Sequence, residues 1–236
     1  MKPARVLLII PCYNEQRSIA VLLKEISELC RGCNVLVIDD GSDDDTFHIA
    51  QALVPTVRLL RNLGIGGAVQ TGIKFAERHD FDFCVQIDGD GQHLPGQVLK
   101  LLEAYAKHPV EIIVGSRFLG NETFQSTWPR RFGGQVIARA LSYLFVDCRI
   151  SDPTSGMRLM DRRAIHFFAR HYPCDFPEPI SLAWALRAGM TVRDVPVEMR
   201  ARQHGRSSIV GLKPLAYMFR VMGYILLARL KRTPLS

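Results

Sequence analysis

Residues 83–93 read Phe-Cys-Val-Gln-Ile-Asp-Gly-Asp-Gly-Gln-His, five residues of β type that run straight into an acidic, glycine-rich turn. A short apolar run bounded by turn residues reads as a strand covered on both faces. The same design recurs on either side of it. Val6–Ile10 runs into Pro11-Cys12-Tyr13-Asn14-Glu15, Val35–Ile38 into Asp39-Asp40-Gly41-Ser42, Val57–Leu60 into Arg61-Asn62-Leu63-Gly64, and Ile112–Val114 leads to Ser116-Arg117. Helical periodicity fills the gaps at Ile19–Leu29, at Asp44–Leu53 with Ser42 or Asp43 as cap, at Gly67–Arg78 and at Pro95–Lys107. Strands and helices in alternation predict an α/β fold with a mostly parallel, Rossmann-like sheet flanked by helices.

Beyond Ser116 the alternation loosens. A helical stretch is expected from about Gly134 to Phe145, then a loop through Asp152-Pro-Thr-Ser-Gly156, helices near Arg162–Arg170 and Pro179–Ala188, and a strand over Thr191–Val197. A chain of 236 residues that is 47% hydrophobic and 22% charged is neither disordered nor collagenous. Repeats, low-complexity tracts and linker-like stretches are absent from the sequence, so one domain is expected over residues 1–210, followed by a basic C-terminal helix and tail over 211–236.

The net charge of +7 is concentrated at the C-terminus. From Met199 onward there are eight basic residues and no acid, which leaves the rest of the chain at −1. Such a tail meets phosphate, whether in nucleic acid, anionic lipid or a phosphorylated substrate, or it is a solvated basic face. The N-terminal apolar run Val6–Ile10 is too short for a signal-peptide core, so the expected location is cytoplasmic. The six cysteines are scattered and form no secreted disulfide framework. Cys30-Arg-Gly-Cys33 has redox spacing but closes a helix, where the dipole disfavours a thiolate.

In open α/β sheets ligands gather beyond the carboxyl ends of the strands, and polar groups recur at those positions here. Asp88, Asp90 and Gln92 are spaced by two, so an extended backbone would project all three to one side. Two carboxylates and a carboxamide suit Mg²⁺ or Mn²⁺, while a plain Asp-Gly turn is the competing reading. An EF-hand is excluded by His93 and Leu99 at its glycine and glutamate positions. Gly64-Ile-Gly66-Gly67 precedes a helix, but Val69 stands where a dinucleotide fingerprint needs Gly or Ala, and no Walker lysine follows.

Taken in order, Pro11-Cys-Tyr-Asn-Glu15, Val37-Ile-Asp-Asp-Gly-Ser42 with Asp45-Thr46, Asn62 with Gly64, Asp88-Gly-Asp-Gly-Gln92, Gly115-Ser-Arg117 and Asp152-Pro-Thr-Ser-Gly156 resemble family-2 glycosyltransferases of the GT-A fold. The likeness is to the polyprenyl-phosphate (dolichol-phosphate) mannosyl- and glucosyltransferases, and it spans most of residues 5–208. It implies that Pro11, Tyr13, Asn14, Glu15, Asp39 and Asp40, with Asn62, Gly66 and Gly89, hold a nucleotide sugar. Asp88, Asp90 and Gln92 would hold the metal against its diphosphate, and Arg206 would close over the phosphates. Ser116, Arg117 and Arg131 would face the acceptor phosphate, although Arg131 also reads as a solvated neighbour of Arg130.

Two acceptors stay open. A sugar hydroxyl must lose a proton during attack, whereas a lipid phosphate is already ionised and needs only positioning cations. Glu178, in Phe176-Pro-Glu-Pro179, stands where relatives acting on hydroxyls carry an Asp base; it also fits a helix N-terminal carboxylate facing the dipole. The reaction expected is metal-dependent inverting transfer of a hexose from a UDP- or GDP-linked donor to a polyprenyl phosphate, or to a glycan hydroxyl in cell-surface polysaccharide assembly.

From Lys213 to Lys231 a helical projection puts Lys213, Tyr217, Arg220, Tyr224 and Lys231 on one stripe and Leu215, Met218, Met222 and Leu226 opposite. Its apolar run is too short to span a bilayer, so it lies on an anionic membrane surface as a peripheral element, or docks on its own domain or on a second copy in a homo-oligomer. A nucleic-acid-binding module is disfavoured, since no such motif is present and the strand-end acids repel a phosphate backbone. An NAD-dependent enzyme would rest on Gly64–Gly67 alone.

Overall fold

The computed structural model describes residues 4–119, 128–144, 150–200 and 220–227, without the side chains of 128–134. The elements run β1 (Val6–Cys12), α1 (Ile19–Leu29), β2 (Asn34–Asp39), α2 (Thr46–Gln51), β3 (Thr56–Arg58), α3 (Gly64–Arg78), β4 (Phe83–Gln86), α4 (Gln97–Lys107), β5 (Ile112–Ser116), α5 (Trp128–Leu144), β6 (Arg158–Asp161), α6 (Arg162–Arg170), α7 (Pro177–Arg187) and β7 (Val192–Pro196). Seven strands form one sheet in the order β3-β2-β1-β4-β6-β5-β7. Among the described residues only strand β6 runs against its neighbours, pairing antiparallel with β4 and β5. The expected mostly parallel sheet flanked by helices is what forms.

All seven residues of β1 are buried because both faces of the sheet are covered. Period-two alternation splits them between two cores. Leu7 and Ile9 join Ala68, Val69 and Ile73 of α3 and Ile165 and Phe168 of α6. Val6, Leu8 and Ile10 join Leu22, Leu23 and Ile26 of α1 and Val98 and Leu101 of α4. Helix α3 lies so close to β1 that a Cβ on Gly72 would sit 2.8 Å from Ile9 Cγ2. Burying each Leu or Ile contributes about 1.5–3 kcal/mol, so the sheet's middle strands anchor the fold.

Several expected boundaries move by a few residues. Helix α3 begins at Gly64 and α7 at Pro177, after Phe176 in a left-handed conformation (φ 48°). Strand β6 was not expected at all: it has four residues, with Arg158 at its head. Helix 220–227 sends Val221 and Ile225 into the larger core, while Tyr224, Leu226 and Leu227 are exposed. The expected apolar line through Met222 and Leu226 is therefore not the buried one, and this segment docks on its own domain. The remainder of the expected C-terminal helix lies outside the described residues.

Strand order reverses on either side of β1, with β2 to one side and β4 to the other. In open α/β sheets the crossover helices leave in opposite directions at such a reversal, and ligands bind there, beyond the carboxyl ends of the strands.

Candidate active site at the strand ends

The loop after β1 is stitched to its neighbours on both sides. Asn14, in a left-handed conformation (φ 56°), donates its amide to Ser42 Oγ (3.0 Å) and accepts from the Asp43 amide through Oδ1 (2.9 Å). The Glu15 amide donates to Thr46 Oγ1 at 2.7 Å, and Tyr13 Oη donates to Asp43 Oδ2 at 3.3 Å. Ser18 Oγ lies 2.9 Å from both Glu15 Oε2 and Gly89 O, which ties the loop after β1 to the loop after β4. Close approach is built in there, since a Cβ on Gly89 would sit 2.4 Å from Cys12 Sγ.

Asp39 and Asp40 end β2 as buried acids. Asp39 Oδ2 accepts from the Ser42 amide and pairs with Arg58 Nε, each at 3.3 Å. Its Oδ1 is buried and has no hydrogen-bond partner among the described residues. Asp40 Oδ1 accepts from the Leu63 amide at 2.8 Å and so fixes the loop 61–64, where Asn62 Oδ1 accepts from the Gly64 amide at 2.9 Å. Burial raises the Asp40 carboxyl, with the Leu63 and Gly64 amides opposing. Gly66 packs on the loop before α7, where a Cβ would meet Pro173 O at 2.4 Å.

The extended backbone that would project Asp88, Asp90 and Gln92 to one side does not persist after β4. The strand stops at Gln86, Gly89 and Asp90 turn the chain, and Gly91 has φ 73°. Asp88 and Asp90 are both partly exposed, and each lies near enough to Cys12 for its charge to act on the thiol. Gln86 Nε2 donates to Asp88 Oδ1 (3.1 Å), the Gln92 amide donates to Asp90 Oδ1 (3.0 Å), and the Asp88 amide donates to Nδ1 of the buried His93 (3.0 Å). His93 also bridges Met199, and the Arg200 amide donates to Gln92 O at 2.9 Å, so the chain beyond β7 runs along this turn. Cys12 registers the convergence: burial first, then the charges of Glu15, Asp39, Asp88 and Asp90, push its thiol well above the ordinary range.

A second cluster adjoins Asp88 on the side of β5. Arg117 is gripped by the fully buried Asp152 through Nε and Nη2 at 2.6 and 2.7 Å, and its Nη2 also donates to Thr154 Oγ1 at 2.9 Å. Burial alone would lower Arg117, but the bond and charge of Asp152, with Asp88 and Glu178, raise it. Burial raises the Glu178 carboxyl, and Asp88 adds to this, while Arg158 and Arg117 oppose it. Ser116 is fully buried and its hydroxyl sits 2.7 Å from Ser151 Oγ, in a network that ends on Asp194. Arg131 lies on α5 with its side chain outside the described residues, as is all of Arg206. Among the described residues no three His, Cys, Asp or Glu side chains form a metal site by themselves.

Asp152, Thr154, Gly156 and Arg158 shape this cluster yet were not among the expected site residues. The signal for the first three was the Asp-Pro-Thr-Ser-Gly segment itself; for Arg158 it was a lone cation inside the apolar run Met157–Met160.

Known proteins share the sequence pattern and the fold that carry these residues. The model of the glycosyl transferase family 2 matches residues 7–168. The chain is 28% identical to the polyprenol monophosphomannose synthase of Mycolicibacterium smegmatis, over 97% of this chain and 89% of that one. It is 25% identical to the UDP-N-acetylglucosamine–dolichyl-phosphate N-acetylglucosaminyltransferase of Methanococcus voltae, over 87% and 91% respectively. Glucosyl-3-phosphoglycerate synthase from Mycobacterium tuberculosis, crystallised with Mn²⁺, UDP and phosphoglyceric acid, shares the fold with a TM-score of 0.71 at 19% identity, over 98% of this chain and 80% of that one.

Proposed function

Because the chain belongs to glycosyl transferase family 2, we propose that this enzyme moves a hexose from a UDP- or GDP-linked donor to the phosphate of a polyprenyl phosphate, with inversion and with Mg²⁺ or Mn²⁺. The observation that carries the reading is the crowding of Glu15, Asp39, Asp88 and Asp90 around Cys12 at the reversal of strand order. Carboxylates so grouped repel one another and favour a bound cation or a ligand rich in hydrogen-bond donors. The names of relatives that match nearly end to end, a polyprenol monophosphomannose synthase and a dolichyl-phosphate transferase, support the lipid acceptor.

In this reading Asp39, with Pro11, Tyr13 and Glu15 and with Asp40 close by, holds the base and ribose, and Asn14, Asn62, Gly66 and Gly89 complete the nucleotide-sugar site. Asp88, Asp90 and Gln92 would hold the divalent ion; two carboxylates and a carboxamide are hard oxygen donors of the kind that Mg²⁺ or Mn²⁺ takes. Such an ion would neutralise charge on the departing diphosphate. Arg206 closes on those phosphates. Arg117 and Arg131 orient the acceptor phosphate for in-line attack, with Ser116 bracing the start of that loop from the buried side. No covalent enzyme intermediate is required.

Transfer to a glycan hydroxyl is the second reading, and the raised Glu178 carboxyl beside Asp88 favours it, because a carboxylate with an elevated pKa is the better general base. The two readings separate in one assay. Purified protein is given Mn²⁺ or Mg²⁺, a panel of UDP- and GDP-sugars, and undecaprenyl phosphate in detergent, with Asp90→Asn and Glu178→Gln in parallel. Metal-dependent transfer to lipid that Asp90→Asn abolishes and Glu178→Gln retains supports the phosphate acceptor. Loss in Glu178→Gln with folding intact moves the assignment to a hydroxyl, and failure to bind any nucleotide sugar overturns both.

A lipid acceptor brings the enzyme to the cytoplasmic membrane face. Among the described residues no helix is long and apolar enough to cross a bilayer. Contact through the basic segment 211–236 is supported by the exposed Tyr224, Leu226 and Leu227 of helix 220–227.

A further inference from the structure

Strand β6 places a charged side chain where its alternation calls for an apolar one. Leu159 faces one core and Met160 the other, and Arg158 shares the side of Met160. Arg158 is only 4% exposed. Its Nε donates to Ser155 O at 3.0 Å, Nη2 to Pro153 O at 3.0 Å and Nη1 to Ser181 Oγ of α7 at 2.7 Å. All three acceptors are neutral oxygens. Among the described residues no carboxylate lies within ion-pair distance of this guanidinium. Burial of a cation to which no anion is bonded is unfavourable, and the charges of Glu178, Asp152 and Asp194 offset it only in part, so the apolar strand around Arg158 gave no structural need for it.

The three bonds have a common target. Pro153 and Ser155 flank Thr154, whose hydroxyl accepts from Arg117 Nη2, and they follow Asp152, which grips Arg117 by two further bonds. Gly156, next along, lies against Asp88, so the same loop forms a wall of the acidic turn. Ser181 Oγ in turn donates to Glu178 O at 3.1 Å, which carries the linkage into the first turn of α7.

We propose that Arg158 is a positioning residue: from beneath the site it fixes the loop 152–156 and thereby sets the places of Arg117 and Glu178 for the transfer step. A lysine cannot replace it, because one ammonium does not span two carbonyls on one side and a hydroxyl on the other as a planar fork does. The inference rests on the glycosyltransferase reading for its kinetic consequence but not for its geometry.

The test uses full-length protein with Arg158→Lys, Arg158→Met and Ser181→Ala, each checked for folding by near-ultraviolet circular dichroism. Displacement of Arg117 by about 1 Å is expected to lower kcat/KM for the acceptor on the order of 100-fold in Arg158→Lys. The donor KM should stay within about twofold, since the strand ends that face the donor are untouched. Ser181→Ala removes one arm of the fork and is expected to show the same split at about a tenth of the effect. The Arg117 Nε–H resonance, slowed in exchange by its bond to Asp152, should lose that protection in Arg158→Lys whether or not any acceptor is turned over. If Arg158→Met does not fold, the other two variants carry the test. Unchanged acceptor kinetics and an unchanged Arg117 signal in folded variants overturn the inference, as does a loss shared equally by both substrates. If wild-type protein transfers nothing to undecaprenyl phosphate while the Arg117 signal still depends on Arg158, the proposed function fails and the positioning role stands.

Discussion

Arg117 and Asp152 meet as two planar forks, with Nε to Oδ2 at 2.6 Å, Nη2 to Oδ1 at 2.7 Å, and the Arg117 amide also donating to Oδ2 at 3.1 Å. The carboxylate is fully buried and the guanidinium side chain is 20% exposed. Asp152 thus aims one edge of Arg117 and leaves the loop little freedom to redirect it. Replacing Asp152 with Asn keeps the shape and removes the charge, which strands a largely buried cation. Such breakage costs about 3–5 kcal/mol, to be read from the urea midpoint. The acceptor KM is expected to rise about tenfold, equivalent to about 1.4 kcal/mol of lost positioning. An unchanged urea midpoint would show that the pair contributes no net stability.

Gly156 and Asp88 give a sharper steric prediction. A Cβ at position 156 would lie 2.7 and 2.8 Å from the two carboxylate oxygens of Asp88, closer than real contacts allow. Gly156→Ala must therefore push Asp88 or the loop aside. Overpacking of this kind costs about 1–3 kcal/mol, which the fold tolerates. A displaced Asp88 is expected to weaken Mn²⁺ activation, lowering kcat on the order of 100-fold at fixed metal and raising the metal concentration for half-maximal rate. Wild-type kinetics in the alanine variant would remove Asp88 from the reaction.

Much of this architecture was legible in advance because apolar runs and strand-end acids obey simple periodicities. Ile19–Leu29 and Arg162–Arg170 form as their spacing of buried residues dictates, with Asp161 capping the latter through the Ala164 amide. Strand β6 was hidden because four residues carry no period and its first is an arginine whose partners come from distant segments. The turn at 88–92 was not legible for a related reason: spacing by two is informative only while the strand lasts, β4 stops at Gln86, and Gly91 takes a positive φ. The Asp152–Arg117 pair joins residues 35 positions apart, a separation that no local pattern encodes.

Stability should fall with acid through Glu111, which sits at the opposite end of β5 from Arg117. Burial alone would raise its carboxyl, but hydrogen bonds from the Thr191 hydroxyl and amide and from Arg163 outweigh it and hold it at about 2, against an ordinary 4.5. A depressed folded-state pKa contributes stability above the unfolded value, and this is lost as pH falls through the folded one. Solvent screening at this partly exposed site reduces the contribution to about 1 kcal/mol. In urea titrations Glu111→Gln is expected to be less stable than wild type at pH 7. The gap should begin to narrow near pH 4.5 and close towards pH 2; a gap independent of pH would mean that lost packing, not charge, explains it.

Asp39 offers the clearest handle on the donor. One of its oxygens is occupied by Ser42 and Arg58, while the other is buried and unpartnered among the described residues. A buried acceptor left without a donor costs about 1–3 kcal/mol, a penalty that a ligand N–H reaching Oδ1 would remove. Uracil and guanine both present ring N–H groups, so either base fits that atom. Asn in its place can turn an amide N–H towards the base and also loses the charge. Asp39→Asn is therefore expected to weaken UDP or GDP binding by roughly 10- to 100-fold in calorimetry, the equivalent of about 1.4–2.7 kcal/mol. Arg58→Met supplies the control, because Arg58 is 42% exposed and its loss leaves Oδ1 in place. If both variants weaken binding equally, Asp39 acts by holding Arg58 rather than by meeting the base. If Arg58→Met binds as wild type and Asp39→Asn does not, the unpartnered oxygen is the contact.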